Sequence, residues 1–215
     1  MASSARPPEA IRVAVFAKAP VPGQVKTRLA GLLGPDGAAA LQAGLVRRAL
    51  STAIEARIGP VELHCAPDEH HEFFARCAER FRVALVPQRG ADLGERMHAA
   101  FRDAFAAGSA LIVIGSDCPA LTPADLHAAR DALREASAAV APAEDGGYVL
   151  IALARDVPRI FEAVAWGTGA VLRQMRARFV EPNVRCVELA ERWDVDRPED
   201  YQRLQAEGLL QEVLS

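Results

Sequence analysis

The chain has 215 residues, 51% of them hydrophobic and 25% charged, with 15 Gly and 14 Pro. A chain of this length buries about 70% of the surface its unfolded form exposes, and the composition excludes a disordered or collagen-like protein. The 25 basic against 28 acidic residues leave a net charge of −3, which excludes a general affinity for nucleic acid and leaves any polyanion binding to a local patch.

In chain order, residues 1–10 read as a disordered tail, polar and carrying Pro7 and Pro8 without the apolar stretch of a signal peptide. A single domain over 11–215 follows. Ile11–Ala17 is a first strand, and Gly34-Pro35-Asp36 leads into a long helix to about Arg57. Val61–Cys65 is a second strand followed by a helix around Glu69–Arg80, and Arg82–Val86 a third followed by a helix over Leu93–Ala107. Ala110–Ile114 is continuously apolar, as in a strand buried on both faces. Thr122 then caps the next helix, with Pro123 at its first position. Ala138–Pro142 and Tyr148–Leu153 are strands separated by Glu144-Asp145-Gly146-Gly147. A helix around Gly169–Arg178, a strand at Val184–Leu189 and a helix from Pro198 complete the chain. This alternation predicts a three-layer α/β sandwich around a mostly parallel, mixed sheet. No apolar run approaches the ~20 residues of a membrane span, so a cytoplasmic protein is expected.

Ligands of open α/β sheets bind beyond the carboxyl ends of the strands, so the residues there carry the functional reading. Between Ile11 and Gly34 stand Arg12, Lys18, Lys26 and Arg28 and no acid. A Pro- and Gly-shaped loop ahead of a helix, with Lys26 and Arg28 as charge-assisted donors, suits a phosphate or diphosphate. A solvated basic loop would look the same, and neither GxxxxGK[ST] nor GxGxxG is present. Asp117, in Gly115-Ser116-Asp117-Cys118-Pro119, stands at the mouth of the buried strand, where it can hold a divalent metal or merely form an Asx turn. Ser116 and Cys118 read as inert.

Glu144-Asp145-Gly146-Gly147 is either a plain hairpin turn or a place where backbone meets substrate, with Glu144 or Asp145 as acceptor or base. In Trp193-Asp194-Val195-Asp196-Arg197-Pro198-Glu199-Asp200, Asp196 with Glu199 fits a capping box. Asp117 with one of Asp194 and Asp196 would make a metal site. Gly94-Glu95-Arg96 opens a helix and can touch a nucleobase, and Trp166 can stack on a ring. Cys65, Cys77, Cys118 and Cys186 lack any CxxC spacing and read as reduced thiols, while His70-His71 reads as a solvated helix start.

The ordered set FAKAPVPGQVKTRL, LGERM, GSDCPAL, PAEDGGYVLIAL, WGT and DVDRPED resembles bacterial GT-A-type (SpsA-like) glycosyltransferases, some of them arsenosugar-biosynthesis enzymes. More distantly it is similar to phospholactate and molybdenum-cofactor guanylyltransferases. The resemblance spans about residues 11–205 and implies the nucleotide-diphospho-sugar transferase (GT-A, Rossmann-like) fold. It implies nucleotide phosphates against Ala17, Lys18, Lys26 and Arg28, and the base near Gly94, Glu95 and Arg96. It also implies Mg or Mn on Asp117 with Asp194 or Asp196, and a second substrate facing Glu144, Asp145, Gly146, Gly147, Tyr148 and Trp166. Asp117 is followed by Cys118-Pro119 where GT-A enzymes carry a DxD pair, and the Lys26–Arg28 pair resembles a pyrophosphorylase loop.

The expected function is therefore metal-dependent glycosyl transfer from a nucleotide-diphospho-sugar to a small-molecule acceptor, with no nucleic-acid or membrane partner. One alternative is nucleotidyl transfer, joining an NTP to a phosphorylated metabolite with release of pyrophosphate. A second is a nucleotide-binding protein without turnover.

Overall fold

Strand β4 (Ser109–Gly115) organises the molecule, because Leu111, Ile112 and Ile114 have no more than 1% of their surface exposed. Each such side chain contributes about 1.5–3 kcal/mol by leaving water. The computed structural model describes residues 10–180 and 184–214, so the expected tail lies outside the described residues except for Ala10. Around β4 are β1 (Ala10–Lys18), β2 (Val61–Ala66), β3 (Ala84–Pro87), β5 (Ala138–Pro142), β6 (Tyr148–Leu153) and β7 (Cys186–Glu188). They form one sheet in the order β3-β2-β1-β4-β6-β5-β7. β6 alone runs antiparallel to its neighbours; the remaining pairs are parallel. This is the predicted mixed, mostly parallel sheet, with the antiparallel strand supplied by the hairpin that Glu144–Gly147 turns.

The helices are α1 (Ala30–Glu55), α2 (Glu72–Phe81), α3 (Leu93–Ala106), α4 (Pro123–Ala132), α5 (Val171–Phe179), α6 (Pro198–Ala206) and α7 (Leu210–Leu214). One core cluster joins residues of α1, α2 and α4 to the sheet, and another joins residues of α3 and α5 to it. A smaller cluster gathers Leu41, Leu45, Trp193, Leu204 and Val213.

Three expectations shift. The first helix begins at Ala30, ahead of Gly34, whose φ of 70° and ψ of 165° break the helix before Pro35 resumes it. The stretch 27–55 is long and apolar enough to cross a bilayer by length and composition, contrary to the sequence expectation. It is nevertheless interrupted at Gly34, and it buries Leu41, Leu45, Val46 and Leu50 in the fold. At α6 the capping acid is Asp200 and not Glu199. Pro198 takes the first helical position, so Asp200 falls where its Oδ2 accepts from the Asp196 and Arg197 amides at 3.0 and 2.7 Å.

Candidate active site

The loop after β1 is a series of tight turns, in which Val21 N donates to Ala19 O at 2.8 Å and Gln24 N to Val21 O at 3.0 Å. It delivers Lys26 in a left-handed conformation, φ 47° and ψ 39°. That backbone costs an L-residue about 1–2 kcal/mol. Lys26 gains two charge-assisted bonds in return. Its ammonium, with a side chain only 4% exposed, lies 2.9 Å from Asp117 Oδ1 and donates to the Val195 carbonyl at 2.6 Å.

The chain after β7 runs back beside β5 toward the end of β4. Leu189 N donates to Val140 O, Arg192 N to Pro142 O, and Val195 N to Asp117 O at 2.8 Å. The last bond brings Asp194 beside Asp117. Burial, then the charges of Asp145 and Asp117, push the Asp194 carboxyl up to about 6, while Lys26 acts the other way. Asp117 thus holds the Lys26 ammonium, and Asp194 feels the charges of both as well as that of Asp145.

An oxygen-only donor set of this kind fits Mg or Mn, which need only one or two carboxylates and take other ligands from phosphates and water. Among the described residues no three His, Cys, Asp or Glu side chains converge into a ready-made cage. Asp117 and Asp194 are the pair that geometry brings together. Asp196 turns elsewhere, to an ion pair with Arg28 at the surface.

The other predicted residues fall into three groups: the end of β1, the start of α3 with Trp166, and the hairpin ahead of β6. Ala17 is buried, and its carbonyl accepts from Gln88 Nε2 at 3.3 Å; Lys18 is exposed at the end of β1. Gly94 lies directly under Trp166, where a Cβ would come within 2.5 Å of the indole Nε1. The base and second-substrate motifs therefore meet at this point. Glu95 and Arg96 brace the preceding loop, through Ala91 N to Glu95 Oε2 at 2.8 Å and Arg96 Nε to Gly90 O at 3.1 Å.

The Glu144–Gly147 segment is a hairpin turn, with Gly147 N donating to Asp145 Oδ1 at 2.8 Å. Gly146 has a φ of 88°, and a Cβ there would sit 2.4 Å from Gly169 O, so glycine is required. Arg203 grips both oxygens of Glu144 at 3.0 and 2.9 Å while its guanidinium lies 4.4 Å over the Trp193 ring. The Tyr148 hydroxyl donates to Met97 Sδ at 3.2 Å, beside the second core cluster. Burial pushes the Cys118 thiol up to about 12, in keeping with an inert cysteine.

Sequence reasoning passed over Arg203 and Gln42 altogether and set Ser116 aside. Gln42 is 4% exposed on α1, and its Nε2 donates to Ser116 Oγ at 3.3 Å; Ser116 Oγ donates to Asp117 Oδ1 at 3.3 Å. The available signal was a glutamine within the buried register of Leu41 and Leu45. Nothing in sequence spacing announces Arg203.

Residues 49–168 match the family model described as "Uncharacterized protein conserved in bacteria (DUF2064)". A phosphoenolpyruvate guanylyltransferase of Rubrobacter xylanophilus is 30% identical over 210 residues, covering 93% of this chain and 97% of the relative. Among solved structures, a protein of Desulfovibrio desulfuricans assigned as a nucleotide-diphospho-sugar transferase superposes with a TM-score of 0.81, at 27% identity and 94% coverage of each chain. Rv0371c of Mycobacterium tuberculosis, solved as a complex with manganese, shares the fold at a TM-score of 0.53 and 18% identity, over 91% of this chain and 97% of its own. The resemblance drawn from the motifs thus holds, and the chain, a transferase in kinship and fold, belongs to this DUF2064 family of bacterial proteins.

Proposed function

We propose that the protein is a divalent-cation-dependent nucleotidylyltransferase that joins an NTP to a small phosphorylated acceptor and releases pyrophosphate. The observation that carries the proposal is the Lys26–Asp117 pair at the end of β4, with Asp194 beside it raised by burial and by the charges of Asp145 and Asp117. The relative matched over nearly its whole length, a guanylyltransferase, supports the reading and points to a phosphorylated acid of the phosphoenolpyruvate kind as acceptor.

Asp117 and Asp194 would hold Mg or Mn, which supplies charge neutralisation on the phosphates when bound. Lys26 has three N–H donors, and Asp117 Oδ1 and Val195 O take two, leaving one for a phosphate oxygen. Arg28 adds a second cation on the same loop, with Lys18 beyond it. The acceptor phosphate oxygen attacks the α-phosphorus, the bond to the β-phosphate oxygen breaks, and pyrophosphate leaves with the electron pair. An acceptor that is already a phosphate anion needs no base, so Glu144 and Asp145 shape the acceptor side: Arg203 anchors the former and the hairpin turn fixes the latter. Trp166 covers Gly94 directly, so a nucleobase would stack on the outer face of the indole. A nucleotide donor made in the cytoplasm puts the enzyme there.

The 0.81 superposition at 27% identity favours a second reading, glycosyl transfer from a nucleotide-diphospho-sugar. One assay separates the two. The protein is incubated with Mg²⁺, each of the four NTPs and phosphoenolpyruvate or another phosphorylated acid, and pyrophosphate is measured; in parallel, nucleotide sugars are tested for nucleoside diphosphate release. Acceptor-dependent pyrophosphate supports nucleotidyl transfer. Nucleoside diphosphate release without it moves the assignment to glycosyl transfer, and silence in both arms overturns the proposal.

A further inference from the structure

We infer that Gln42 and Ser116 are positioning residues that hold Asp117 in the orientation in which it receives a divalent cation, an inference that rests on the metal reading above. Gln42 is an expensive residue where it stands. It lies between Leu41 and Ala43 on α1, 4% exposed, and a buried carboxamide costs stability unless it is hydrogen-bonded. An apolar side chain of the same size would pack there without that cost. Its Nε2 is directed at Ser116 Oγ, 3.3 Å away, and Ser116 is itself 5% exposed. The Ser116 hydroxyl has one proton, and it is given to Asp117 Oδ1 at 3.3 Å. The amide N–H of Gln42 occupies an acceptor lone pair of that hydroxyl, which aims its proton at the carboxylate.

Asp117 Oδ1 is thereby engaged twice, by Ser116 and by the Lys26 ammonium at 2.9 Å. Among the described residues Oδ2 takes no hydrogen bond, so it is the oxygen available to a cation. The relay connects helix α1, through the loop after β4, to a carboxylate that is 47% exposed, and adds a second anchor to the one Lys26 gives it. Partners of this kind around a metal ligand change metal affinity about 10–100-fold when removed.

The test is Mn²⁺ binding by the whole protein, read from the loss of the free-ion electron paramagnetic resonance signal. The variants are Gln42→Met, Ser116→Ala, their double substitution and Asp117→Asn, and each is also melted in EDTA. Each single variant of the relay is expected to raise the Mn²⁺ Kd about tenfold, and the double variant no further than the weaker single, because Gln42 acts only through Ser116. A purely structural role would instead lower the melting temperature in EDTA and leave the Kd of the folded protein unchanged. Binding that disappears in Asp117→Asn yet is indifferent to Gln42→Met overturns the relay alone, as do single effects that multiply in the double variant. Absence of Mn²⁺ binding by the unsubstituted protein overturns the metal reading and the relay with it.

Discussion

Two carboxylate–cation pairs stand near each other in this fold and differ in how their charge is balanced. Asp125, at the start of α4, has both oxygens engaged. Oδ1 pairs with Arg192, and Oδ2 accepts from Arg192 Nε at 3.2 Å, Thr122 N at 2.9 Å and Thr122 Oγ1 at 2.8 Å. Burial would raise the Asp125 carboxyl, but Arg192 and Thr122 outweigh it and hold it below its ordinary value. Beside Asp117 the Lys26 ammonium also acts on Asp194, but burial and the charges of Asp145 and Asp117 outweigh it there, and the result is the opposite, a carboxyl raised to about 6. The first arrangement is complete and belongs to the architecture, tying the chain after β7 to α4. The second is left short of positive charge, as a site that receives a divalent cation would be.

The largest expected effect is at the unbalanced pair. Asp117→Asn should lower turnover on the order of 10²–10³-fold and abolish Mn²⁺ binding, because a neutral amide removes the ligand charge and leaves Lys26 facing a carbonyl. Steady-state pyrophosphate release and Mn²⁺ titration measure both. Arg192→Met should act on stability instead. Breaking a fully buried ion pair costs about 3–5 kcal/mol; with Arg192 27% exposed, about 2–3 kcal/mol is expected, a fall in Tm of roughly 5–10 °C. Thermal melts in EDTA read the loss. Were Arg192→Met to weaken Mn²⁺ binding about tenfold and leave Tm unchanged, the separation between an architectural and a functional pair would be wrong.

A pH series sharpens the same contrast. The folded value at Asp194 lies above the ordinary 3.8, so the native chain keeps a proton there that the unfolded chain has released. Its contribution to stability is full below about 3.8 and is lost as the pH rises through about 6. In EDTA, the Tm difference between the unsubstituted protein and Asp194→Asn should therefore move in favour of the former between pH 7 and pH 5. Mn²⁺ affinity should run the other way and fall about tenfold per unit below pH 6, because the cation must displace that proton. A flat affinity across this range would separate Asp194 from the cation.

The sheet was legible because its strands alternate with alanine-rich helices and because the run Ala110–Ile114 has no polar residue. That Lys26 and Asp117 stand at strand ends was legible for a related reason, a basic loop and an acid following predicted strands. Which of Asp194 and Asp196 lies beside Asp117 was not. It depends on the Val195 amide bonding to the Asp117 carbonyl and on Arg28 engaging Asp196, contacts between segments remote in sequence. Arg203 on Glu144 and Gln42 on Ser116 are long-range in the same way. The capping acid of α6 was misplaced by one residue because both Glu199 and Asp200 are acids, and only the position of Pro198 decides between them.

The smallest stability effect should come from the other basic residue of the first loop. Arg28 is two residues from Lys26, yet its side chain is 61% exposed and its partner Asp196 is 44% exposed. An exposed pair of this kind contributes at most about 1 kcal/mol, so Arg28→Ala should move Tm by no more than about 2–3 °C. A guanidinium with N–H groups to spare on a loop already fixed by Lys26 should instead serve the nucleotide. The expected result is a KM for the NTP raised about tenfold with little change in kcat, the signature of binding lost equally from ground and transition states. Asp196→Asn separates two ways of reaching that result. If Asp196 orients Arg28 toward the phosphates, its substitution raises the NTP KM as Arg28→Ala does. If it competes with the phosphates for the guanidinium, the KM falls. An Arg28→Ala variant with unchanged KM and a large drop in Tm would place Arg28 with Arg192 in the architecture and leave Lys26 as the loop's phosphate-facing cation.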